Sequence, residues 1–297
     1  MRVFLQTRGT ARATDYAFLG GAPPEPWWRD YRDATAFDHP TVLVSSDGDR
    51  WATYLSGIPS SRVDAVGTVV RYTLVLEGSC AASDTACVTA AVGAWLDDVA
   101  AGHGAGPGGR LAAALDARFP AVDVERWLAG HTDESALRAP DRPDSDTPAG
   151  AGVGDDVRQR VLAALAALPV SSPTADVSGS WVGGTASAAA RAAFRARVGL
   201  LLDGTPGRAL LLNLVGGPDD APALLYPASP AAVLVEGADP PVPLPAPSVV
   251  EVKKAPAPPA QGAAVVVVAG VAVLPLVVLF VLLATTALVV AALMWLL

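Results

Sequence analysis

Apolar positions along this chain first recur every second residue, then every third or fourth, and finally lose all polar interruption. Thr41, Val42, Leu43, Val44 and Ser45, and then residues 66–76, follow the period of two that defines a strand. Val66, Thr68, Val70, Tyr72, Leu74 and Leu76 fall on one face of the second strand. Much of its other face is apolar too, which predicts a central position in a sheet. Past Gly78 the period lengthens. Val88, Ala91, Val92, Trp95, Leu96 and Val99 mark one helix face, with Asp84 placed to cap it and Gly102 to stop it. Residues 110–119, 122–129, 157–168 and 186–203 also read as helices, and 208–215, 223–226 and 231–236 as strands. Strands and helices interleave without a clean alternation. The expected fold is therefore mixed α/β or α+β, as one domain of two lobes or two small domains.

Composition sets the expected boundaries. Residues 139–156 are rich in Pro, Asp and Gly without apolar periodicity, and read as a flexible acidic loop between an N-terminal α/β lobe (1–138) and a C-terminal α/β lobe (157–236). Residues 237–262 hold eight prolines and read as a linker with extended polyproline character, reaching at most roughly 80 Å at about 3.1 Å per residue. From 263 to 297 the chain carries no charge. About 20 apolar residues suffice to cross a bilayer, so this stretch is expected to be a transmembrane segment. As one helix it would be about 52 Å long, more than the hydrocarbon core. Pro275 is placed to kink it, leaving Leu276 to start the principal span and Trp295 to lie at the far interface. A two-pass hairpin turning near Gly270 or Pro275 is the alternative.

The chain is 52% hydrophobic and 17% charged, and the charge-free stretch accounts for much of that imbalance. The formal net charge of −8 arises entirely within residues 1–236, because the only lysines, Lys253 and Lys254, offset Asp239 and Glu251. An acidic domain repels phosphate backbones, so nucleic acid is not an expected partner. The two lysines flank the apolar stretch, and the positive-inside rule then places the preceding domain in the cytoplasm. The first residues hold no hydrophobic core of signal-peptide length. The expectation is a single-pass, C-terminally tail-anchored protein of the cell membrane.

Signatures of catalysis are few. The Gly-rich run at 102–109 follows a helix and lacks Gly-Lys-Ser/Thr, so it reads as a connector and not a phosphate loop. His39, His103 and His131 lie far apart, and Gly57-Ile58-Pro59-Ser60-Ser61 lacks the second glycine of a nucleophile elbow. Cys80 and Cys87, separated by six residues, fit neither a redox nor a zinc motif and read as small buried hydrophobes, with a disulfide as the alternative. No cofactor, metal or catalytic residue is assigned.

What remains is a local concentration. Residues 1–77 hold 10 of the 18 aromatics together with eight arginines. Aromatic and Arg side chains dominate interface hot spots, so Trp27, Trp28, Arg29, Tyr31, Arg62, Asp64 and Arg71 form the candidate protein-binding surface. Arg71, on a central strand, is expected to meet a carboxylate or line a pocket. The leading expectation is a cytoplasmic adaptor domain that recruits a cytoplasmic or membrane protein to the bilayer. Two alternatives accompany it. One is a membrane-tethered enzyme with a site assembled from His39, Asp38, Arg62, Asp64 and Arg71. The other is a scaffold assembling through Gly270, Ala272, Thr285 and Thr286 of its tail.

Overall fold

The computed structural model describes residues 1–10, 15–80, 85–137, 151–170, 178–215 and 229–244. The expected transmembrane segment, the cap at Asp84 and the strand at 223–226 lie outside these residues. Among the described residues, no helix is long and apolar enough to cross a membrane.

Among the described residues, nine strands make one sheet: β1 (Arg2–Thr7), β2 (Ala17–Leu19), β3 (Thr41–Ser46), β4 (Arg50–Val63), β5 (Val69–Ser79), β6 (Trp181–Gly184), β7 (Gly207–Leu211), β8 (Ala231–Val235) and β9 (Val242–Pro243). Their spatial order is β2-β1-β5-β4-β3-β7-β8-β6-β9. Pairings from β2 through β7 are antiparallel, whereas β8 runs parallel to both β7 and β6. With helices α1 (Thr85–Ala100), α2 (Arg110–Asp116), α3 (Ala121–Leu137), α4 (Ala151–Ala166), α5 (Ala188–Leu202) and a 3₁₀ helix (Trp27–Ala34), this is a mixed α/β domain with a large sheet and six helices. Because β3 pairs with β7, strands of both expected lobes belong to the same sheet. The lobe division is not a division of the sheet.

Strand alternation distributes the core unequally. Val42, Val44, Leu55, Tyr72, Leu74 and Leu76 meet the apolar faces of α1 to α5 in the larger cluster. Leu43, Tyr54, Val75, Leu210 and Val233 point the other way, into a smaller cluster against which Trp27, Trp28 and Tyr31 pack. The helices thus form one layer, and a single 3₁₀ helix lies on the opposite face. β5 matches its expected inward residues from Val70 onward. Val66 instead stands in the preceding turn, 62% exposed.

Four departures from expectation have local causes. β4, a stretch for which the sequence pattern predicts no strand, runs 14 residues through Gly57 and Pro59. Register shifts between Leu55 and Ile58 and between Pro59 and Val63 absorb them as bulges. Gly57 has φ 76°, and a Cβ there would collide with the His39 carbonyl. Second, α4 begins at Ala151, inside the stretch expected to be a flexible loop. A Cβ on Gly20 would come within 2.5 Å of the Gly154 Cα, so glycine here serves close backbone approach and not freedom of the chain. Third, residues 237–244 are docked on the sheet edge and are not free linker: Gly184 and Ala186 donate to the Asp239 and Gly237 carbonyls, and Leu244 donates to Ser180. Prolines on that short edge strand remove donors that would otherwise invite further pairing. Fourth, the departure at Cys80 and Cys87 concerns only the disulfide alternative: both are free thiols packed partly buried against the larger cluster, in keeping with the leading reading of small hydrophobes.

Helix α2 has no cap from its own preceding residue, Gly109. Asp98 of α1 supplies it from a distance, Oδ1 accepting from Arg110 N at 2.8 Å and Oδ2 from Leu111 N at 2.9 Å. A Cβ on Gly109 would lie 2.5 Å from Asp98 Oδ2, which accounts for the glycine. Asp98→Ala is expected to lower stability by about 1–2 kcal/mol in urea denaturation, with Asp98→Asn losing less. Equal stability of Asp98→Ala and the parent chain would show that α2 does not depend on this cap.

Candidate functional site

On the face away from the helices, the register aligns residues in rows across the strands. Phe4, Val75, Tyr54, Leu43 and Leu210 form one row from β1 to β7. The next row toward the sheet margin reads Arg2, Glu77, Ala52, Ser45 and Arg208. The first row is roofed by the 3₁₀ helix. Trp28 stacks on Tyr54 at 5.2 Å with planes 17° apart, and Phe18 and Trp27 flank Trp28 at 6.2 and 6.3 Å. Over the second row a cleft of about 450 Å³ opens. Pro24, Glu25 and Trp27 wall one side, the β3–β4 hairpin contributes Asp47, Arg50 and Trp51, and Arg2, Ser45, Ala52 and Glu77 complete the lining.

The cleft carries both signs of charge. Glu77, its side chain only 8% exposed, pairs with Arg2 at 2.6 Å, and Arg2 is itself half exposed. Asp47 Oδ1 accepts the backbone N–H of Arg50 at 2.8 Å and of Asp49 at 3.0 Å. These two bonds, with the nearby Arg50 guanidinium, hold its carboxyl below the usual carboxylate range. The Trp51 indole donates to the Ser79 carbonyl at 3.2 Å, while the buried indole N–H of Trp27 meets no acceptor among the described residues. Arg50 and Glu25 are exposed, and neither side chain makes a hydrogen bond or ion pair there. Ion pairing, aromatic contact and hydrogen bonding are what this arrangement provides.

Residues proposed from sequence separate into two groups. Trp27, Trp28, Arg29 and Tyr31 share the 3₁₀ helix. Trp28 and Tyr31 pack on the smaller cluster, Trp27 also lines the cleft, and Arg29 is exposed. Arg62 and Asp64 lie at the far end of β4. Arg62 donates to Ser60 Oγ (3.2 Å), the Arg8 carbonyl (3.1 Å) and Thr7 Oγ1 (2.7 Å), and its guanidinium sits 5.1 Å above the Tyr72 ring. Ser60 and Tyr72 in turn donate to Asp116 of α2, at 2.6 and 3.0 Å, so this network locks the bulged strand to the helical layer. Asp64 accepts from Val66 and Thr68 N–H and pairs with Arg8 at 3.3 Å, closing the β4–β5 turn. Among the described residues Arg71 makes no ion pair with a carboxylate; it donates to the Gly57 and Gly104 carbonyls at 2.8 and 3.2 Å. The seven residues do not form one surface.

Of the residues offered for an enzyme, Asp38, His39 and Arg71 are neighbours around Gly57, whereas Arg62 and Asp64 are engaged elsewhere. Asp38 and His39 pair with each other at 2.9 Å in the open. The His39 hydrogen bond is the main cause that lowers the Asp38 pKa, and the charge of Arg71 is a lesser one. Arg62 and Asp64 are committed to the network and turn just described. Among the described residues, no group of three or more His, Cys, Asp or Glu is placed to hold a metal ion. The cleft-lining Arg2, Glu25, Arg50 and Glu77 carry no local signal in the sequence, because strand register and the segment leading into the 3₁₀ helix bring them together. Comparisons with protein-family models, with curated proteins and with solved structures find no match to this chain.

Two outcomes are expected. Arg62→Ala and Asp116→Ala each lower stability by about 1–3 kcal/mol in urea denaturation, since each leaves buried partners unsatisfied. Unchanged midpoints would remove the network from the account of the fold. In an NMR pH titration, the Asp47 carboxyl titrates below an ordinary aspartate. Because its folded pKa is depressed, the stability it contributes is complete above the ordinary value and is lost as pH falls through the lowered one. An Asp47 carboxyl titrating at the ordinary position would show that its two backbone bonds do not favour the ionised form.

Proposed function

We propose that this chain is a membrane-tethered recruitment protein, with residues 263–297 fastening it to the bilayer and the α/β domain binding a protein partner. The observation that carries this reading is the cleft beside the 3₁₀ helix, where Trp27 and exposed Arg50 stand beside mixed charge at the margin of a rigid sheet. Tryptophan and arginine are the side chains most enriched at interface hot spots. The charge-free sequence of 263–297 supports the bilayer attachment, and Lys253 and Lys254 support a cytoplasmic domain. Confinement to a surface raises the effective concentration of domain and partner, and the proline-rich stretch after residue 244 sets the reach.

Two arms test the proposal in cells. Full-length protein is expected in the membrane fraction after alkaline extraction. Leu282→Arg with Leu283→Arg, costing about 2.5–3.5 kcal/mol per residue at a helix centre, is expected to release it. A photo-crosslinking amino acid at Pro24 is expected to capture one protein stoichiometrically, with yield falling about tenfold in Trp27→Ala and Arg50→Ala. Membrane retention of the double Arg variant would reject the tether. Absence of a crosslinked partner, or yields unaffected by both cleft variants, would reject recruitment through this site.

A further inference from the structure

The charges in the cleft are unequally engaged. Arg2 is committed to Glu77, and Asp47 Oδ1 is filled by two backbone N–H groups. Glu25 and Arg50 are exposed and make no ion pair among the described residues, and Glu77 lies nine-tenths buried, its Oε2 ion-paired with Arg2 but without a hydrogen bond there. Two guanidinium groups therefore face three carboxylates. Around them the whole chain carries −8, a field that draws cations and repels anions.

We propose that the cleft takes an arginine or lysine side chain from a peptide segment of the recruited partner, with Glu25 and Glu77 as counter-charges and Trp27 as aromatic wall. The inference rests on the recruitment reading and adds the chemistry of the partner. A guanidinium or ammonium laid against an indole gains cation–π attraction as well as ion pairing. Glu77 is held at the back of the site by its place in β5, opposite Arg2 of β1 and Ala52 of β4. Arg2 is half exposed, so its head swings toward solvent as the incoming cation takes its place on Glu77. A cleft of about 450 Å³ is within the roughly 300–1,000 Å³ of ligand sites and admits one long side chain with its flanking backbone.

The test is a chemical-shift titration of the Trp27 indole in the full-length chain in detergent micelles, the signal assigned with Trp27→Phe. The probes are the peptide acetyl-Ala-Ala-Arg-Ala-Ala-amide and its Gln and Glu counterparts. Saturable shifts are expected with the Arg peptide alone. Glu25→Gln is expected to weaken that binding about tenfold, and because Glu25 is exposed the variant leaves the fold intact. Asp155→Asn makes the same charge change at an exposed position on α4, in the helical layer, and is expected to leave the affinity unaltered. No saturable shift with the Arg peptide, equal binding of the Gln peptide, or equal weakening by Asp155→Asn would overturn the proposal. Continued crosslinking at position 24 alongside any of these results overturns the basic-ligand assignment and leaves recruitment standing. Loss of the crosslink as well removes both.

Discussion

The antiparallel seam between β3 and β7 is the contact on which the rest of the domain depends. Five residue pairs from Val42–Leu211 to Ser46–Gly207 join strands more than 160 positions apart. On one side of the seam lies an antiparallel group, and on the other a parallel one closed by β6 and β9. Val42 and Val44 face the helical layer together with Ala209 and Leu211, while Leu43 and Leu210 face the smaller cluster. A slip of one residue would exchange those two sets, so hydrophobic burial on both faces selects this register. Asn213 pins its end: Oδ1 accepts Ala36 N at 2.7 Å, and Nδ2 donates to the Ala36 and Pro40 carbonyls and to Thr41 Oγ1.

The same register makes the cleft. Strand pairing that sets Leu43 beside Tyr54 and Val75 necessarily sets Ser45 beside Ala52 and Glu77, one step nearer the margin. The apolar row requires a roof, which the 3₁₀ helix provides through Trp28 on Tyr54. Trp27 precedes Trp28 by one residue and so stands at the border of the roofed row and the polar one. A stacking contact that serves stability thereby positions an aromatic side chain in the cleft. Fold and candidate site are consequences of the same alternation.

Legibility in the sequence followed the regularity of the local pattern. β3, most of β5, and α1, α2 and α5 have uninterrupted periods and were readable as such. β4 was not, because Gly57 and Pro59 signal a break when read locally and become bulges only when β5 and the His39 backbone lie alongside. The first turn of α4 reads as loop because its glycines suggest freedom, whereas Gly154 answers to close contact with Gly20. Clustering of aromatics and arginines in sequence proved a poor guide to clustering in space. Residues 27–31 and 62–71 are drawn to different ends of β4. Conversely, Arg2, Glu25, Arg50 and Glu77 lie about 25 positions apart and carry no local signal.

Residues 1–236 hold arginine but no lysine, and most guanidinium groups of the described residues are spent on architecture. Arg71 joins the β4 bulge to the glycine-rich connector through two carbonyls, and Arg160 ties α4 to Asp123 and to the Arg118 carbonyl. Arg191 reaches the Thr185 carbonyl, and Arg62 binds Ser60, Thr7 and the Arg8 carbonyl at once. A planar fork with several fixed donors suits such cross-links better than a lysine ammonium. An arginine-rich stretch therefore says little about binding until its hydrogen bonds are followed. The functional distinction lies in what the fold leaves unmatched, and in the cleft that is carboxylate and indole, not guanidinium alone. The partner proposed for the cleft would complement that remainder with a cation, whose approach the acidic field of the domain would favour.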